Sequence, residues 1–273
     1  MTDRRLTLAN DRVAHLALEG VIDAPHFAET QTAEISLPVV DLLSAPDGPR
    51  ERQMLLGDRF DVLEYHEGFA YGRAARDGYC GYAAEDALCA PTGVSHWVSV
   101  PASHLYSEPR AQAPRHLWVS FGTRLRVLRQ EGNWAETPHG FIPAGHLTPL
   151  GSWHSDPVEV AGLFLGTPYL WGGNSQAGID CSGLVQMAWL ACGRACPGDS
   201  DLQRDLGKAL PDDAPLQRAD LVFWKGHVAI MVDADLMIHA TGHFMACVIE
   251  PAAEAIARIK AQTGLAPLAR RRA

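Results

Sequence analysis

Cys181, His227 and His239 have the types and the order of a nucleophile, a base and a group that orients the base. Cys181 lies in TPYLWGGNSQAGIDCSGLVQ (167–186), between Asp180 and Ser182 and just ahead of the apolar run Leu184 to Ala191. Gly172, Gly173 and Gly178 precede it, and Gly193 closes the run. That pattern predicts a glycine-permitted loop delivering Cys181 to the first turn of a buried helix. The unpaired amides and the positive end of the macrodipole at a helix start favour a thiolate, the reactive form of cysteine. A lone cysteine is more often a small apolar core residue. The nucleophilic reading therefore rests on finding a base downstream.

That base lies in RADLVFWKGHVAIMVDADLMIHA (218–240). Two β-rich runs, Leu221 to Val232 and Leu236 to Ala240, flank the turn candidates Asp233, Ala234 and Asp235. A turn centred on Ala234 sets His239 opposite Ala229 and puts His227 diagonal to His239 on the same face. Diagonal positions lie roughly 7–8 Å apart, a gap that two imidazoles close. Cys181 then serves as nucleophile, His227 as base, and His239 holds His227 in one tautomer. Taken singly, each histidine reads more simply as a polar strand residue; the set of three changes the balance. His239 and His243 have the i, i+4 spacing of metal ligands, but only a helix makes that spacing useful, and IHATGH reads as strand then turn. No metal or cofactor is expected.

The segments YLWGGNSQAGIDCSGLV, GHVAIMV and IHA resemble the NlpC family of papain-like bacterial cell-wall peptidases, over Ser152 to about Ala269. The resemblance implies an α+β catalytic domain in which a helix bearing the cysteine packs on an antiparallel sheet. It further implies that Cys181 is acylated, that His227 is the base, and that His239 orients it. Tyr169, the Tyr of the Y-x-W-G-G motif, joins the backbone amide at the nucleophile in the implied oxyanion site. Asp180 and Ser182 are implied to bind the γ-D-glutamyl unit, with Trp171 nearby, and Ser200 of PGDSDLQ to lie near the diamino acid. Gly198 stands where that last motif usually carries Arg. From the residues alone, Ser200 reads as a helix N-cap and Trp171 as packing.

Upstream, residues 43–88 and 106–147 form a faint repeat. Ser44/Pro46 align with Ser107/Pro109, Leu56-Gly57-Asp58 with Phe121-Gly122-Thr123, and Asp77-Gly78-Tyr79 with His139-Gly140-Phe141. Short alternating strands between turn residues predict two small β-barrels, with one irregular β-sandwich as the alternative. The pair is similar to bacterial SH3-like domains. The expected organisation is an arm at 1–34, barrels at 35–92 and 93–150, and the peptidase domain at 151–273. Within the arm, Asp11 to Ala17 is expected to form a short helix, broken by Ala24 to Phe27. The resemblance also implies that an acid and a Tyr of the first barrel hold the free α-amine of an N-terminal L-Ala. Glu51 and Tyr79 match by position, and Asp47 or Glu64 are alternatives to Glu51; an acid beside an aromatic ring suits an ammonium.

At 273 residues and 47% hydrophobic, the chain can bury a sizeable core. A net charge of −9 argues against nucleic acid and against an acidic polymer held by charge. Arg270 to Arg272 read as a solvated tail. No apolar run has the length of a signal-peptide core or a membrane span, so cytoplasm and no membrane partner are expected. Six cysteines without C-x-x-C spacing read as free thiols. The expected function is a cysteine peptidase that cuts the γ-D-glutamyl–L-diamino acid bond of murein tripeptides or tetrapeptides with a free N-terminal L-Ala. The alternatives are a hydrolase, amidase or acyltransferase of the same fold acting on polymeric wall or another amide, and a non-catalytic peptide-binding module.

Overall fold

The structure, a computed structural model, describes residues 3–272. The chain divides after Leu150 into two compact units.

In the first unit, Leu8 and Val13 of the N-terminal arm pack against Leu63, Tyr71 and Cys80. The Tyr71 hydroxyl donates to the Ala9 carbonyl at 2.7 Å. The helix expected over Asp11 to Ala17 does not form. Ala14–His15 instead pairs in parallel with Phe27–Ala28, and a single 3-10 turn, Leu16–Leu18, follows. Asn10 is the local reason: its Oδ1 accepts the amides of Arg12 and Val13, each at 2.9 Å, a turn that competes with helix initiation. A seven-residue segment is also too short to repay nucleation alone.

A seven-stranded sheet follows, in the spatial order Arg50–Leu55, Val39–Leu43, Cys80–Ala84, Phe69–Ala74, Arg59–His66, Gln31–Ile35, Leu88–Cys89. It curls around Ile35, Leu42, Met54, Phe60, Val62 and Tyr79. A three-stranded and a five-stranded sheet enclose the next core, built on Val98, Leu105, Val119, Leu125 and Ile142. The sequence repeat is a repeat of hydrogen bonds. Gly57 N donates to Ile35 O and Gly122 N to Val98 O, both at 2.9 Å, while Ile35 N and Val98 N donate to Asp58 O and Thr123 O. Gly57 has φ of 80°, and a Cβ there would lie 2.2 Å from the Arg124 carbonyl oxygen, so only glycine lets these two segments meet.

The second unit begins with α1 (Pro157–Gly162), whose N-cap Asp156 accepts from Val158 N at 2.8 Å. After a small hairpin of Asn174–Ser175 and Gly178–Ile179 come α2 (Cys181–Ala191) and α3 (Ser200–Gln203). Six strands form the sheet: β1 (Lys208–Ala209), β2 (Leu221–Trp224), β3 (His227–Met231), β4 (Leu236–Thr241), β5 (Ala246–Pro251) and β6 (Ala269–Arg272). Their order is β1-β6-β2-β3-β4-β5, and every pair is antiparallel. α2 packs on α1, β3 and β4. α4 (Ala252–Thr263) lays Ala252 and Ala255 on Val222, Trp224, Ala229, Met231 and Met237, and ends at Gly264 in the left-handed region. The basic terminus expected to be a solvated tail is strand β6. Arg272 fixes it by pairing with the buried carboxylate of Asp220 at 2.8 and 3.0 Å.

Candidate active site

Asp180 organises the start of α2. It has extended backbone at the N-cap, and its Oδ1 accepts from Gly183 N at 2.6 Å and from Ser182 Oγ at 2.9 Å. Its Oδ2 accepts from Gly172 N at 2.9 Å. One carboxylate therefore caps the helix and ties the Tyr169–Gly173 loop to it. Gly183 is required for the same closeness, since a Cβ there would lie 2.3 Å from Gly173 O. Asp180 and Ser182 are buried and bonded to each other, an arrangement that builds the helix entry.

Cys181 is the first residue of α2, 6% exposed, at the positive end of the helix dipole. Tyr169 is its neighbour on the loop. Burial pushes the Tyr169 phenol well above its ordinary range, and the proximity of Cys181 and Asp180 acts in the same direction. A neutral phenol beside the sulfur is a hydrogen-bond donor. Trp171, on the same loop, is 66% exposed. All six cysteines are free thiols. Burial raises Cys80 and Cys247 to about 12 and also raises Cys89 and Cys192, which disfavours the thiolate at all four.

Ile230 faces Ile238 and Met231 faces Met237, the register that a turn at Ala234 dictates. His227 and His239 are diagonal in that register. Their Nε2 and Nδ1 atoms lie 2.9 Å apart, with ring centroids 5.0 Å apart. The Trp224 ring stands 5.6 Å from the His227 ring. Burial, then His239 and the guanidinium of Arg258, hold His227 well below the ordinary histidine value, so its imidazole is neutral. Burial does the same to His239 against the opposing pull of Glu250. IHATGH is strand then turn, with β4 ending at Thr241.

The candidates beyond these residues fare differently. Ser200 is buried as the first residue of α3, and the N-cap is Asp199, not Ser200. Gln203, fully buried at the end of α3, donates to Ser182 O, Pro197 O and Gly198 O at 2.8–3.0 Å and locks that segment against the start of α2. Tyr79 is only 2% exposed and belongs to the first-barrel core. Both Glu51 oxygens are taken by the guanidinium of Arg4, and Glu64 is held by Arg12 and Asn10. The structure thus places the Tyr79 ring among core residues and pairs Glu51 with Arg4, which also lies near the Tyr79 phenol. Tyr79, Cys80 and Gly81 are buried in succession, so a simple in–out alternation does not give the side of the phenol.

Sequence reasoning stopped at His239 and missed what stands behind it. Glu250 Oε1 lies 2.7 Å from His239 Nε2, and the same oxygen receives Arg258 of α4. The signal was present: β4 and β5 pair with His239 opposite Val248, so the diagonal rule that links His227 to His239 also links His239 to Glu250.

Residues 166–256 match the NlpC/P60 family, and residues 42–88 match the bacterial dipeptidyl-peptidase Sh3 domain. The chain carries an NlpC/P60 domain behind a bacterial dipeptidyl-peptidase SH3 domain. Among curated proteins, it is 32% identical over 158 residues to the gamma-D-glutamyl-L-lysine dipeptidyl-peptidase of Bacillus subtilis, covering 52% of each chain. It is 36% identical over 99 residues to dipeptidyl-peptidase 6 of Lysinibacillus sphaericus, covering 36% of each. The chain thus spans about half the length, or less, of these relatives. A crystal structure of an NlpC/P60 family protein from Bacillus cereus superposes with a TM-score of 0.73 at 23% identity, over 89% of this chain and 99% of that one, which shows a shared fold. The NlpC/P60 match contains Tyr169, Cys181, His227, His239 and Glu250, and ends before Arg258.

Proposed function

We propose that this NlpC/P60 protein is a cysteine peptidase that hydrolyses the γ-D-glutamyl–L-diamino acid bond of murein peptides, releasing a dipeptide from a free amino terminus. The observation that carries the chemistry is a cysteine at the start of α2, a helix packed on the strands whose histidines are hydrogen-bonded to each other. Cys181 attacks the γ-carbonyl as its proton passes to neutral His227. The phenol of Tyr169 and the amides at the helix start donate to the developing oxyanion. The His227 imidazolium protonates the departing amine, and a water deprotonated by His227 then cleaves the thioester.

The bond and the free amino terminus are supported by the names of the relatives, gamma-D-glutamyl-L-lysine dipeptidyl-peptidase and dipeptidyl-peptidase 6. Glu51 and Tyr79 lend them no support. The deciding experiment gives the enzyme L-Ala-γ-D-Glu-diaminopimelate, its N-acetylated form and intact sacculi, with products read by mass spectrometry. Release of L-Ala-γ-D-Glu from the free tripeptide alone is expected. Equal cleavage of the acetylated peptide, or preferential release from sacculi, would replace this reading with a general wall hydrolase.

A further inference from the structure

Three consecutive strands carry one line of side-chain hydrogen bonds: His227 on β3, His239 on β4 and Glu250 on β5, each diagonal to the next. The proton positions follow from the far end. An ionised carboxylate only accepts, so the 2.7 Å contact requires the proton of His239 on Nε2. A neutral His239 then presents a lone pair on Nδ1, so the 2.9 Å contact requires the proton of His227 on Nε2. The lone pair of His227 is left on Nδ1, the nitrogen facing away from His239. We propose that Glu250, backed by Arg258, is the positioning residue that sets both tautomers and makes Nδ1 of His227 the proton acceptor. The inference rests on the reading of Cys181 and His227 as nucleophile and base.

Arg258 has a defined part. Its guanidinium binds the same Glu250 oxygen as His239 does. A guanidinium only donates, so Glu250 Oε1 is the acceptor of both contacts. The Arg258 side chain is in turn held over the Phe244 ring, 5.2 Å from its centroid, and His243 stacks edge-on to that ring at 4.6 Å. Of the elements next to the line, α2 packs on β3 and β4 and carries Cys181 at its start after Asp180, with Tyr169 on the preceding loop; Lys225 is in the β2–β3 turn, His243 follows β4, and Arg258 is on α4. Glu250 and Arg258 have opposite charge and act on the line directly, so removing them must move its proton affinity in opposite directions.

The test uses the full-length protein and iodoacetamide, with alkylation of Cys181 followed by mass spectrometry across pH, so that it does not depend on the peptide substrate. Glu250→Gln should lower the peptidase kcat about 10–100-fold, the range for losing a partner behind a functional histidine, with KM little changed. Its acid limb of alkylation should move to lower pH, because a negative charge has gone; Arg258→Met should move that limb to higher pH. Nitrogen-15 spectra of labelled histidine should show His239 protonated on Nε2 in the wild type, assigned by its loss in His239→Gln. Acid limbs that stay put in both variants, or a wild-type His239 protonated on Nδ1, would overturn the proposal. A folding failure in Glu250→Gln leaves Arg258→Met and the wild-type spectrum to decide. Rapid alkylation that survives His227→Ala would instead overturn the nucleophile–base reading itself.

Discussion

Cys181 differs from the structure's other buried thiols in what surrounds it. Cys80 and Cys247 sit in apolar strands that hold them protonated, whereas Cys181 opens a helix beside a phenol. Cys181→Ala should abolish peptidase activity and keep the circular dichroism spectrum, while Cys192→Ser should retain activity; turnover by the folded Cys181 variant would remove the nucleophile. His227→Ala should cost about 10²–10⁴ in kcat, the usual contribution of a positioned base. His239→Ala should cost less, because water can take over part of an orienting role; a larger loss for His239 than for His227 in parallel assays would exchange their roles. The sequence showed these residues because each belongs to a local pattern. The surroundings of Glu51 and Tyr79 were not legible because pairing and exposure are tertiary properties: the partner of Glu51 lies 47 residues away at Arg4.

The elements that hold the site are legible where one local signal dominates. A symmetric turn at Ala234 fixes the β3–β4 register, and the Gly-rich loop with Asp180 fixes the helix start. They are obscure where the deciding contact is distant. The arm's helix loses to the parallel pairing of Ala14–His15 with Phe27–Ala28, and the Arg-rich end becomes a strand because Asp220 lies buried beside it. Asp180→Ala removes an N-cap, worth about 0.5–2 kcal/mol, and also frees Gly172 N. It should lower Tm and slow peptide turnover together, since the loop carrying Tyr169 loses its tether. Gly183→Ala should be worse, for its methyl would meet Gly173 O at 2.3 Å with backbone on both sides. Thermal melts of the two variants give the ranking, and a Gly183→Ala protein as stable as wild type would contradict the close approach.

For the whole molecule, the buried histidine pair links stability to acidity. Both imidazoles are held below their ordinary value in the folded chain, so the unfolded chain binds more protons once the pH falls below about 6.5. Their contribution is complete above that pH and is lost as the pH falls towards the folded values. The carboxylate of Glu64, held low by its hydrogen bond with Arg12, and that of Asp156, held low against the upward push of burial by Arg218 and the Val158 amide, add a loss in a more acidic window. The urea midpoint should therefore drop between pH 7.5 and 5.5, and His239→Gln should flatten that drop; an equal slope in the variant would assign the acid sensitivity elsewhere.

Strand β6 lies between β1 and β2, so the chain's last described residues shield one side of Leu221–Trp224, a strand buried at every position. Deleting 269–272 would strip that side bare. The result is an apolar, unpaired edge of the kind that recruits a second chain by backbone hydrogen bonding. Such a truncated protein should gather into oligomers and insoluble aggregates in light scattering even where its remaining fold survives. In this architecture strand β6 covers the hydrogen-bonding side of an apolar strand.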